Sequence, residues 1–211
     1  YGDIVILLRT AYGWAETFRE VLASQGIPVY CTSRTGYFSA TEIVTVLNYL
    51  KVCDNPLQDI PLMGVLRSPI VGCTSQELAE LRIQYPDGLL YESVSAYAGE
   101  NEIPEKELDP DKLKSKLLNS NLRTDEKNSL NIKLKGFLSL LEKVRNMAAY
   151  TPVHELILYV LKETGYGDYA RALPGGEQRF ANLTMLVEKA MGYEKTSYRG
   201  LFNFVRYIEQ L

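Results

Sequence analysis

A mainly α-helical chain with a small α/β part at its start is the fold class that this sequence predicts. Three observations lead there. The first 31 residues alternate an apolar run, an amphipathic stretch and a second apolar run, the pattern of a βαβ unit. From Ser75 onward the apolar residues recur at helical spacing. Between the two, Gly26 to Gly72 carries a sharp aromatic turn, two helices and a Pro/Gly-punctuated exit that join the layers.

Asp3 to Leu8 (DIVILL) is short, continuous and rich in Ile and Val, which suits a strand buried on both faces. Trp14, Phe18, Val21 and Leu22 mark one face of a helix that ends at Gly26, a C′ residue. Val29 to Cys31 is the next strand. Strand, helix and strand in about thirty residues imply parallel pairing through a right-handed crossover. Arg9 and Thr10 fall at the carboxyl end of the first strand, where ligands bind in open α/β sheets. An arginine there offers five donors in a fixed fork and a permanent charge, which suits a phosphate. A surface arginine paired with a carboxylate would have the same spacing.

The turn Arg34-Thr35-Gly36-Tyr37-Phe38 sets two aromatics side by side, and on extended chain they cannot both face one way. One is expected in the core, while the other caps the sheet edge or meets a base. The plainer alternative packs both under the following helix. Ser39 and Glu42 fit a capping box for that helix, whose Ile43, Val46, Leu47, Leu50 and Cys53 recur on one side. Asp59-Ile60-Pro61 opens a second helix. The exit runs Arg67-Ser68-Pro69-Ile70-Val71-Gly72-Cys73-Thr74, and Thr74 with Glu77 makes another capping box, starting a helix near Ser75. A glycine turn feeding a helix N-terminus exposes N–H groups and the positive end of the helix dipole, both attractive to phosphate.

Tyr85-Pro86-Asp87-Gly88 is a turn, and Glu100 to Asp109 an acidic loop closed by Asp109 as N-cap before Pro110. Lys112, Lys114, Lys116, Arg123, Lys127, Lys133, Lys135, Lys143 and Arg145 make the next stretch basic. Leu130, Leu134, Phe137, Leu138, Leu141, Val144 and Ala148 form one apolar stripe within it. The charges then lie on a solvated face or on a phosphate-facing one. Thr151-Pro152 opens a helix with Val153, Leu156, Ile157, Val160 and Leu161 inward and Gly165 closing it. His154, in its first turn, reads as exposed or capping. Pro174-Gly175-Gly176-Glu177 punctuates before Phe180, Leu183, Val187 and Ala190. Leu201, Phe204, Val205, Ile208 and Leu211 are in helical register when the chain stops. With no initiator Met at the other end, this reads as a segment excised from a larger protein.

Composition narrows the classes of function. The net charge of −3 announces neither nucleic acid nor membrane, and the 46% apolar content suffices for a core. Cys31, Cys53 and Cys73 form no CxxC pair, and with His154 alone they complete no metal site, so they read as buried free thiols of a reducing cytoplasm. No apolar run approaches the roughly 20 residues that span a bilayer. The chain holds no G-x-x-x-x-G-K-[ST], and no apolar strand precedes Asp125-Glu126. Without a phosphate cradle, a magnesium-binding pair or a carboxylate cluster, the segment alone is expected neither to hydrolyse ATP nor to cut DNA.

In order, GIPV, GYF, a helix with Glu42, DNPLQDIPL, VLRSPIVG, GGEQRFANL and GLFNFVRYIE resemble the AddA family, the helicase–nuclease subunits of bacterial AddAB. More distantly they are similar to RecB and the UvrD-like superfamily 1 helicases. The resemblance spans essentially the whole chain, with residues 26–72 and 175–209 its specific parts. It implies that residues 1–68 are the N-terminal part of a second RecA-like motor domain, with a partial RecA-like βαβ unit. Residues 69–211 would be an all-helical accessory domain of the 2B type inserted in it. Arg9 falls on the motif IV arginine that reaches the γ-phosphate of ATP, with Leu8 where many members carry an adenine-stacking aromatic. Arg34, Tyr37 and Phe38 fall in a segment near single-stranded DNA. Arg67, Ser68, Gly72 and Thr74 fall at a duplex-contacting turn, where Ile70-Val71-Gly72 keeps one glycine of the family's Gly-Ile-Gly. Arg179 and Asn182 fall on an R-x-x-N-L helix, where they tie helices together. The implied parent is a bacterial, cytoplasmic, ATP-dependent DNA helicase and exonuclease of double-strand break repair and recombination. It would use ATP, magnesium and an AddB-type partner, and no membrane. A UvrD/PcrA-type helicase without nuclease, and a non-catalytic helical protein-interaction module, are the other readings.

Overall fold

The computed structural model describes residues 1–9, 14–29, 37–86, 88–99, 124–195 and 199–210. Among them the order is α1 (Trp14–Ser24), a single 3-10 turn (Tyr37–Ser39), α2 (Thr41–Asp54), α3 (Asp59–Arg67), α4 (Ser75–Gln84) and α5 (Leu90–Ala98). After them come α6 (Thr124–Ala148), α7 (Val153–Thr164), α8 (Tyr166–Ala172), α9 (Gly176–Glu194) and α10 (Leu201–Glu209).

Helix α2 is the hub. Nine of its 14 residues are buried, on every side rather than along one stripe. Around it pack α3, α6, α9 and α10. A helix so enclosed must be apolar all round, and Ile43, Val46, Tyr49, Leu50 and Val52 meet that requirement with no solvent exposure. The 25-residue α6 supplies a long wall with the stripe its sequence predicts: Leu130, Leu134, Phe137, Leu138, Leu141 and Val144 are all buried. Helices α7 to α10 close the other side through Leu156, Ile157, Leu183, Leu186, Phe204 and Ile208. The core is one cluster running from Ile43 to Ile208, so α2 and α3 share it with the later helices. Gly165 ends α7 in the left-handed region at φ 64°, as expected. Cys53 and Cys73 are free and buried; Cys31 lies outside the described residues.

One local expectation, the Ser39–Glu42 capping box, is corrected. The helix expected to be capped by Ser39 starts after Ala40, whose side chain offers no cap. Glu42 does not reach back to the helix start; it is drawn into a buried contact with α9, described below. At the chain's beginning, Asp3 belongs to a turn closed by the Ile4 N–H on the Tyr1 carbonyl, Ile4–Leu8 has no regular structure and no ladder partners, and there is no strand among the described residues. Leu7 is 89% exposed, and on α1 Trp14 is 63% exposed, with Phe18 and Val21 also facing out. A strand buried on both faces needs neighbours at its edges and helices above and below. None of the described segments supplies them. Val29 is also without regular structure, and Tyr30 and Cys31 lie outside the described residues. The acidic loop, Asp109, Pro110 and the basic residues Lys112 to Arg123 fall outside them as well, and so does Asp87 of the turn before α5.

Candidate nucleic-acid interface

Two turns carry most of the residues singled out from the sequence. The first precedes α2. Tyr37 and Phe38 are both partly buried and both pack on the core, with rings edge to face at 4.9 Å and 77°. The Tyr37 hydroxyl donates to the Asn182 carbonyl of α9 at 2.9 Å. Asn182 Nδ2 in turn donates to Glu42 Oε1 at 2.7 Å, and Arg179 Nη1 to Glu42 Oε2 at 2.8 Å. Glu42 is 4% exposed, so each carboxylate oxygen needs a donor, and α9 provides both. Burial, then the Glu42 and Glu188 carboxylates, push the Tyr37 hydroxyl far above the ordinary tyrosine range, which keeps it a neutral donor. Arg179 and Asn182 thus tie α9 to α2 and the aromatic turn, the role expected of them. Lys189, two helical turns beyond Asn182, sets its ammonium 5.6 Å from the Tyr37 ring and 5.7 Å from the Phe38 ring. Arg34 lies outside the described residues.

The second turn joins α3 to α4. Ser68 is buried, donating to the Val65 carbonyl at 2.7 Å and accepting from the Ile70 N–H at 3.3 Å, so it shapes the turn from inside. Gly72 takes φ +73°, a left-handed conformation that favours glycine. Arg67 is exposed and donates from Nη1 to the Cys73 carbonyl at 3.2 Å. The predicted capping box is present. Thr74 Oγ1 accepts from the Glu77 N–H at 3.2 Å, and Glu77 Oε2 accepts from the Thr74 N–H at 2.7 Å. Gly72 and Thr74 themselves stay exposed.

A lysine that the sequence placed in a basic stretch holds this turn. Lys133 Nζ on α6 donates to both Glu77 oxygens, at 2.9 and 3.0 Å, and to the Gly72 carbonyl at 3.0 Å. Burial works to raise the Glu77 pKa, but Lys133 and Thr74 outweigh it and hold the carboxyl below the ordinary glutamate value. Burial pushes the neighbouring Cys73 thiol up to about 11, with Glu77 adding and Lys133 opposing. Sequence spacing could not pair Lys133 with Glu77, which lies 56 residues away.

Arg9 is exposed at the end of the first described segment, which has no regular structure. His154 lies as expected in the first turn of α7, where Glu194 from the end of α9 accepts from the Val153 N–H and touches His154 Nδ1. A cleft of about 910 Å³ lies between α2, α5, α6 and α10, lined among others by Asp54, Glu142, Arg145 and Phe202; none of the candidate DNA-contact residues lines it. No group of three His, Cys, Asp or Glu able to hold a metal occurs among the described residues. No helix there is long and apolar enough to cross a membrane.

Comparison with known proteins agrees with the resemblance carried by the motifs. The chain is 43% identical over its whole length to the A subunit of the ATP-dependent helicase/nuclease of Lachnoclostridium phytofermentans. It is 42% identical to the protein of that name from Thermoanaerobacter sp. and 44% identical to that of Bacillus velezensis. It spans 15 to 17% of the length of these relatives. The profile of the UvrD-like helicase C-terminal domain matches residues 1–210. With that match from end to end, the chain belongs to the UvrD-like helicase C-terminal domain family.

Proposed function

We propose that this chain is a segment of an AddA-type ATP-dependent DNA helicase and exonuclease, which acts in double-strand break repair and recombination in the bacterial cytoplasm. The observation that carries it is whole-chain identity above 40% to proteins named as the A subunits of ATP-dependent helicase/nucleases. Those names favour a parent with nuclease over a UvrD/PcrA-type helicase without one. Residues 1–68 would begin the second RecA-like motor domain, and residues 69–211 would be the accessory domain inserted in it. Helices α2 and α3 would then be the seam, since they share a core with α6, α9 and α10. The bare apolar face of Asp3–Leu8 and α1 supports a small α/β part completed by strands elsewhere in the parent.

Within that parent, Arg9 would sense the γ-phosphate of ATP. The chain's own residues fit only this much of a nucleotide site, because the exposed Arg9 is one cation and no phosphate cradle accompanies it. They do not fit magnesium, for which the described residues offer no ligand group. Both would be held elsewhere in the parent, which would pair with an AddB-type partner. The two turns would position DNA: Tyr37 and Phe38, with Arg34, along the single strand, and Arg67, Ser68, Gly72 and Thr74 at the duplex. Ser68 would act by shaping its turn, being buried.

Arg9→Ala in the full-length parent tests the first role. ATP turnover should fall by orders of magnitude while DNA binding stays; near-normal turnover removes the assignment. Salt-dependent binding of the parent to a duplex with a single-stranded tail tests the second.

A further inference from the structure

We propose that Lys189 of α9, together with Phe38, is a contact for single-stranded DNA, the ammonium taking a backbone phosphate and the ring a base. The proposal rests on the reading that the aromatic turn faces DNA, and it adds a residue from a helix far along the chain.

The cluster is tied to α9 by hydrogen bonds. Tyr37 is anchored through its hydroxyl to Asn182, Asn182 to Glu42, and Glu42 to Arg179. Phe38 stands edge to face against that anchored ring. Asn182 and Lys189 lie on one face of α9, so the helix that anchors Tyr37 also carries Lys189 to the two rings. Its ammonium is nearly equidistant from the two ring centroids, 5.6 and 5.7 Å, and forms no ion pair with a carboxylate among the described residues. Cation and rings are each partly exposed. A cation standing over two partly exposed rings matches one nucleotide of an unpaired strand, whose base offers a π-face and whose backbone offers an anion. A duplex covers its base faces by stacking, and an acidic peptide supplies charge without a ring to stack.

The experiment uses the full-length parent and a fluorescent oligothymidine, with affinity measured across a salt series. Lys189→Ala should weaken binding about fivefold near physiological salt and lower the slope of log K against log salt by about 0.7, the share of one phosphate contact. Lys189→Arg, which keeps the charge, should restore the slope. Phe38→Ala should weaken binding with the slope unchanged, and Phe38→Leu, which keeps the apolar packing but loses the ring, should do the same. If the Phe38 variants weaken binding while Lys189→Ala leaves affinity and slope as they were, the role of Lys189 is overturned and the turn remains a DNA contact. If neither position affects oligothymidine binding, the reading of the turn as a DNA contact fails, and this proposal with it.

Discussion

Arg179 donates from Nη1 to Glu42 Oε2 at 2.8 Å, closing a contact between residues 137 positions apart in the chain. The two ends differ in setting. The Glu42 side chain is 5% exposed and the Arg179 side chain 33%. Arg179→Met leaves a buried carboxylate with one of its two charge-stabilising donors gone. It should destabilise the chain by about 2–3 kcal/mol, below the full cost of breaking a sealed pair because arginine is partly solvated. Glu42→Gln keeps an oxygen acceptor and removes the buried charge, so it should cost less than Arg179→Met. Urea unfolding of the variants checks the order, and equal losses would mean that the charge at Glu42 is not what α9 compensates.

Lys133 and Glu77 make the turn between α3 and α4 pH-sensitive. The folded-state pKa of Glu77 lies below its ordinary value, mainly because Lys133 and Thr74 outweigh burial. The stability it contributes is fully present above the unfolded pKa of about 4.3 and is lost as pH falls through the lower folded value. Wild type should therefore exceed Glu77→Gln in melting temperature at neutral pH, and the gap should close on acidification. A gap that is constant with pH would refute the ion pair.

Two glycines of α9 should respond in opposite directions to the same substitution. A Cβ on Gly176 would lie 1.8 Å from the Arg171 carbonyl oxygen, a backbone atom that cannot step aside. Gly176→Ala should cost about 2 kcal/mol or more by forcing α8 and α9 apart. A Cβ on Gly192 meets nothing within 4 Å, so Gly192→Ala should add about 0.5 kcal/mol through helix propensity. Thermal unfolding distinguishes the two signs.

The hub role of α2 predicts a steep contrast over a short distance in sequence. Leu50 has no exposed surface, whereas Ile60 is 86% exposed. Leu50→Ala should destabilise by about 3 kcal/mol, and Ile60→Ala should change stability by no more than about 0.5 kcal/mol. Similar losses at both sites in denaturant unfolding would mean that α2 is not the centre of the core.

Much of this was legible in the chain itself. The stripe from Leu130 to Val144, the Thr74–Glu77 cap and the glycine stop at Gly165 all appear where the spacing puts them. Arg179 and Asn182 were legible as ties between helices, though not what they tie. Ser39 and Glu42 carry the same local signature as Thr74 and Glu77, yet only the second pair caps its helix. Nothing nearby in sequence tells them apart. Glu42 has two donors waiting on α9, while Glu77 meets a lysine that leaves its bond to Thr74 intact.

The sequence by itself determined the apolar stripe of α6, the cap at Thr74 and Glu77, the stop at Gly165 and which family the chain resembles, because periodicity and caps are settled among residues within a few positions of one another. Only the tertiary structure decided that α2 is enclosed on all sides, that Glu42 and Glu77 take partners from distant helices, and that Lys189 stands over Tyr37 and Phe38. Those outcomes depend on which groups lose water together, and a buried charge finds its partner through space rather than along the chain. The apolar opening segment shows the same rule in reverse. Its composition announces a strand, but pairing requires neighbours, and among the described residues it has none.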